Sequence, residues 1–138
     1  MTDAEKIVES MFVNDAFSQW LGIERLRIEP GICDLRMTVR GEMLNGFSIA
    51  HGGITYSLAD TALAFASNAH GLKCYSVETS ISHVKPVMEG DVLSTLVEEK
   101  SLSKRIGVYH ITVFNQNNES VAFFKGTVHR SEKSWEIA

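Results

Sequence analysis

The chain has 138 residues, 44% of them hydrophobic and 22% charged, which allows one ordinary core and a single domain over 1–138. A net charge of −4 argues against nucleic acid as a partner. The longest apolar run, Ile54 to Ala69, carries Asp60 and falls short of the roughly 20 residues that a membrane span needs, which argues against a membrane partner.

Residues 3–13 place Ile7, Val8, Met11 and Phe12 at helical spacing and predict a short amphipathic helix, with a further turn of helix over 14–21. Strands follow at about 23–29 and 32–39, joined by a Pro30-Gly31 turn, and 40–50 is irregular. A central helix spans about 52–69 and stops near His70-Gly71. Beyond it, 74–84, 92–99, 106–114 and 120–130 read as strands, the last two joined by the Asn115–Asn118 turn. One long helix among about six strands predicts a two-layer α+β domain, a mostly antiparallel sheet packed on the helix.

Cys33 and Cys74 stand far apart in no ligand-like spacing, which fits two reduced thiols in a cytoplasmic protein. The acidic start, Met-Thr-Asp-Ala-Glu-Lys, does not read as a signal peptide. His70, His83, His110 and His129 show no metal-ligand spacing, so no metal is expected. Charge is uneven: residues 1–99 hold 7 Lys/Arg and 14 Asp/Glu, whereas 100–138 hold 6 and 3. The basic tail fits either a solvated mixed surface or a small phosphate-bearing ligand.

The central helix carries the chemistry. Gly53, Ser57, Asp60, Ala64 and Ser67 fall on one narrow stripe, and Ile54, Leu58, Ala62, Phe65 and Ala69 on an apolar one suited to a sheet. An unpaired carboxylate among such neighbours costs several kcal/mol or shifts its pKa upward, which disfavours a purely structural Asp60. The amides of Gly52 and Gly53 belong to the first turn, where donors lack intrahelical partners, and would polarise a carbonyl oxygen. Asp60 lies seven residues on, about 10 Å along the axis, too far for one helix to bring both groups to one carbonyl. A second, antiparallel copy across a twofold axis resolves this, so a homodimer with shared sites is expected.

The run Met43-Leu44-Asn45-Gly46, His51-Gly52-Gly53, Ser57-Leu58-Ala59-Asp60-Thr61-Ala62 and Asn68 closely resembles the hotdog-fold acyl-CoA thioesterases of the phenylacetate-degradation type. The likeness extends from Asn14-Asp15 through Gly107-Val108-Tyr109 to Lys125-Gly126 and His129-Arg130, and no motif position departs from it. It implies a hotdog fold, an antiparallel sheet wrapped around one long central helix, and assembly as a dimer of dimers. It also implies acyl-CoA, with aryl acyl groups favoured, as a substrate rather than a cofactor; no cofactor is expected. By the same resemblance Asp60 is the catalytic carboxylate, as nucleophile or general base, and Gly53 supplies the polarising amide. Asn45 and His51 flank the pocket from the opposite subunit, and Ser76 orients water. Lys104 and Arg105 are the basic residues best placed to meet the CoA phosphates. Two alternatives stay open: a hotdog hydratase or dehydratase using His51 with Asp60, and a non-catalytic acyl-CoA binding module.

Overall fold

Thr2 starts the first helix by a reciprocal cap, its hydroxyl accepting the Glu5 amide at 3.1 Å while the Glu5 carboxylate accepts the Thr2 amide at 2.9 Å. Helix α1 (Asp3–Val13) buries Ala4, Ile7 and Val8. Helix α2 (Ala16–Leu21) is capped by Asp15 and ends at Gly22, whose φ of +74° suits glycine. The computed structural model describes residues 1–137.

Strands β1 (Glu24–Glu29) and β2 (Ile32–Thr38) form a hairpin through Gly31, at φ +76°, whose amide donates to the Ala66 carbonyl at 3.0 Å. After a short 3-10 turn over Gly41–Met43 comes the long helix α3 (Gly52–Asn68), then β3 (Leu72–His83), β4 (Val92–Leu102), β5 (Ile106–Phe114) and β6 (Ser120–Ser134). The six strands make one sheet in the order β1-β2-β4-β5-β6-β3, every neighbouring pair antiparallel. Helix α3 lies against all six strands, which is the hotdog architecture that the resemblance implied.

Strands β3, β4 and β6 run past parts of their predicted bounds, β3 starting at Leu72, β4 reaching Leu102 and β6 reaching Ser134. Register shifts at Leu72/Cys74, Ser76/Glu78 and Glu99/Ser101 explain why, since a bulge breaks the alternation of side chains while pairing continues.

Ile54, Leu58, Ala62, Phe65 and Ala69 are all buried on the sheet, as their stripe predicts. Burying a leucine or phenylalanine contributes roughly 1.5–3 kcal/mol, so this face alone anchors the helix. Gly126 sets how close the helix comes: a Cβ there would lie 2.5 Å from Leu63 Cδ2. The small-residue stripe behaves differently along its length. Gly53 is exposed, Ser57, Asp60 and Ala64 are half-buried, and Ser67 is buried because β3 folds over that end.

Candidate active site

Asp60 is the only carboxylate on α3. It is half-buried, and among the described residues none offers its carboxylate a hydrogen bond or an ion pair. Burial without compensation holds its pKa above the ordinary 3.8. The neighbouring hydroxyls cannot help, since Ser57 Oγ donates to the Gly53 carbonyl at 2.7 Å and Thr61 Oγ1 to the Ser57 carbonyl at 2.8 Å.

Two hollows meet at Asp60. One is a slot of about 230 Å³ between α3 and β3, where Asp60 and Ser76 share a cavity whose sides are Leu63, Ala64 and Val128. Tyr56 meets Thr79 and Asn68 meets Cys74, so β3 runs antiparallel to α3, and Ser67 and Cys74 line the slot at the end away from Gly52. The other hollow, about 200 Å³, opens toward α1 and α2 and is lined by Asp15, Ser18, Ser57 and Thr61 among others. Its hydroxyls form a chain: Ser18 Oγ donates to Asp15 at 2.5 Å and lies 3.4 Å from Thr61 Oγ1.

The N-terminus of α3 has its own cleft of about 380 Å³, containing Asn45, Gly52, Thr55, His83 and Lys85. Among the described residues, no carbonyl accepts from the Gly52 or Gly53 amide, so both donors remain open as first-turn geometry dictates. The two glycines have different reasons. A Cβ on Gly52 would stand 3.0 Å from His83 Nε2, whereas one on Gly53 would meet nothing within 4 Å. Asn45 shapes this loop, its Oδ1 accepting the amides of Phe47 at 2.9 Å and Ile49 at 3.4 Å. His51 stands at the helix N-cap, exposed, with a side chain that makes no capping bond.

The chain therefore brings Asp60 together with Ser76, and Asn45 with Gly52, in separate places along one helix. Lys104 and Arg105 occupy the β4–β5 turn. Arg105 is already engaged, donating to the carbonyls of Arg130 and Ser131 at 3.1 Å and pairing with Glu132 at 3.1 Å. Lys104 is exposed. Among the described residues no group of three His, Cys, Asp or Glu could hold a metal ion.

Sequence reasoning missed His83, Lys85 and Cys74 as neighbours of the site. Cys74 was findable, because it lies two residues from Ser76 and so on the same face of its strand. His83 meets Gly52 only through the fold.

Comparison with known proteins agrees with this fold. Residues 47–122 match the model of the thioesterase superfamily. The acyl-coenzyme A thioesterase PaaI of Escherichia coli is 39% identical over 121 residues, covering 88% of this chain and 86% of that protein. A putative esterase of Archaeoglobus fulgidus is 36% identical, over 91% of this chain and 82% of its own length. The solved structure of the E. coli PaaI protein from the phenylacetic acid degradation operon superposes with a TM-score of 0.93, at 36% identity and 96% coverage of both chains.

Proposed function

The chain belongs to the thioesterase superfamily and is an acyl-CoA thioesterase, and we propose that it hydrolyses compact aryl thioesters of the phenylacetyl kind at sites completed by a second copy of itself. The observation that carries the proposal is the unpartnered, half-buried carboxylate of Asp60 beside an apolar slot of about 230 Å³. An apolar cavity of about 150 Å³ takes up benzene. The slot thus suits a ring and a short linker.

The thioester carbonyl oxygen accepts hydrogen bonds from the free amides at Gly52 and Gly53, which stabilise the negative charge that develops there. Asp60 supplies the negative group. It either attacks the carbonyl carbon, giving an anhydride that water opens, or takes a proton from a water that attacks. By either route the C–S bond breaks, CoA leaves as its thiol and the acyl group leaves as the free acid. Ser76, in the same slot, is placed to orient the water. Asn45 and His51 approach from the other subunit, and Lys104 is the basic residue left to meet the CoA phosphates.

The second copy follows from separation and exposure. Gly53 and Asp60 are about 10 Å apart along one axis, and among the described residues no neighbour requires the missing Gly53 side chain. Strand β3 is a sheet edge, with Tyr75 at 61% and Val77 at 58% exposure, and Phe47 before the helix is 86% exposed. Unpaired strand edges and grouped apolar side chains of this kind are surfaces that a partner covers.

The test is release of CoA thiol from phenylacetyl-, hydroxyphenylacetyl-, acetyl- and palmitoyl-CoA. The aryl thioesters should give the highest kcat/KM. A clear preference for palmitoyl-CoA would remove the aryl assignment. Hydration of an unsaturated thioester without thiol release would instead point to a hydratase.

A further inference from the structure

We infer that Cys74 sets how long an acyl group this enzyme accepts, by forming with Ser67 the end wall of the slot that runs from Asp60 between α3 and β3. The inference rests on the thioesterase reading and places the acyl group in one of the two hollows beside Asp60.

The choice of hollow follows from its lining. The α1/α2 hollow sets the Asp15 carboxylate, besides Asp60, among Met11, Phe17 and Phe65, and desolvating that second charge against an aryl ring would be costly. The slot presents Leu63, Ala64 and Val128 beside Asp60, which favours apolar matter. Its length also fits. Asp60 and Ser67 are seven residues apart, about 10 Å along the helix, and on the facing strand Ser76 and Cys74 are two residues apart, about 7 Å.

The end wall is built rather than incidental. Cys74 Sγ reaches from β3 to α3, lying 3.8 Å from the Ser67 carbonyl and 3.4 Å from that of Leu72. Asn68, 2% exposed, fixes the strand to the helix at this level, accepting from the Cys74 amide at 2.9 Å and donating to the Cys74 carbonyl at 3.1 Å. A bulge falls between Leu72 and Cys74, and bulges re-aim side chains. Burial raises the thiol pKa, with Arg130 partly opposing. The group therefore stays neutral at ordinary pH and acts by volume.

The test compares wild type, Cys74→Ala and Cys74→Met on benzoyl-, phenylacetyl-, 3-phenylpropanoyl- and 4-phenylbutanoyl-CoA. One methylene in an apolar pocket changes kcat/KM by about 10-fold or more. Cys74→Ala should move the optimum one methylene longer, and Cys74→Met should move it shorter. Two substitutions with opposite expected shifts separate wall position from any general loss of fold. A rank order unchanged in both variants overturns the inference while leaving the thioesterase reading intact. A wild type that releases no thiol from any member sinks that reading, and the inference with it.

Discussion

Asn68 grips Cys74 by both backbone groups, its Oδ1 accepting the Cys74 amide at 2.9 Å and its Nδ2 donating to the Cys74 carbonyl at 3.1 Å. The same side chain also donates to the Ala64 carbonyl at 2.8 Å and accepts from Trp135 Nε1 at 2.9 Å. One buried amide thus ties the end of α3, the start of β3 and Trp135, just past β6, together, about two turns beyond Asp60. The slot beside Asp60 thus takes its shape from a buried residue outside its lining.

Replacing Asn68 with alanine should therefore destabilise strongly. The Cys74 amide and the Trp135 indole would lose their acceptor, and each unsatisfied buried donor costs about 1–3 kcal/mol. A loss on the order of 2–4 kcal/mol in denaturant unfolding is expected, given partial rescue by water. Unchanged stability would show that Asn68 does not hold this junction.

The pH dependence of activity follows from the raised pKa of Asp60, caused by burial. Hydrolysis needs the charged form, so activity should fall as pH falls through a value above 3.8. The stability effect has the opposite sign. The folded state binds this proton more tightly than the unfolded state, so the charged group lowers stability at neutral pH and ceases to do so in acid. A kcat/KM profile, which reports the free enzyme, whose acid limb lies at or below 3.8 would show that Asp60 is not the titrating group.

Shared sites can be tested by mixing. Asp60→Asn and Gly53→Val should each be inactive alone, the first lacking the charge and the second with a side chain over the open amides. In a mixed dimer, one of the two sites receives both intact halves, because a twofold axis pairs each helix with the other. Refolding the variants together should restore a substantial fraction of activity, while sedimentation gives a dimer or tetramer. No recovery from a properly mixed population would place Asp60 and Gly53 in one subunit's site.

Much of this was legible in the sequence because periodicity is a local property. The apolar stripe from Ile54 to Ala69 predicted which side of α3 meets the sheet, and the Asn115–Asn118 turn predicted the last hairpin. Strand ends were less legible, since the bulges at Leu72/Cys74 and Glu99/Ser101 break the alternation on which such reading depends. Ser67 belonged to the same stripe as Asp60, yet it is buried. Helical spacing gives direction around an axis but not which strand covers each turn. His83 beside Gly52 is a contact between the far ends of α3 and β3, which only the fold reveals.

The decisive substitution is Asp60→Asn. Asparagine keeps the shape and the capacity to hydrogen-bond while removing the charge that both nucleophilic attack and base catalysis require. The expected fall in kcat is about 10²–10⁴-fold, with substrate binding changed far less, because the Gly52 and Gly53 amides and the slot wall at Cys74 are untouched. Stability should rise or hold at neutral pH, since among the described residues no hydrogen bond or ion pair depends on the carboxylate and the cost of its buried charge disappears. That gain should fade as pH falls through the raised folded-state value and vanish only well below 3.8, where the wild-type group is protonated in both folded and unfolded states. Thermal unfolding and thioester cleavage measured on one preparation separate the possibilities. A variant that unfolds readily yet keeps normal turnover per folded molecule would make Asp60 a structural residue, and the catalytic assignment would fail.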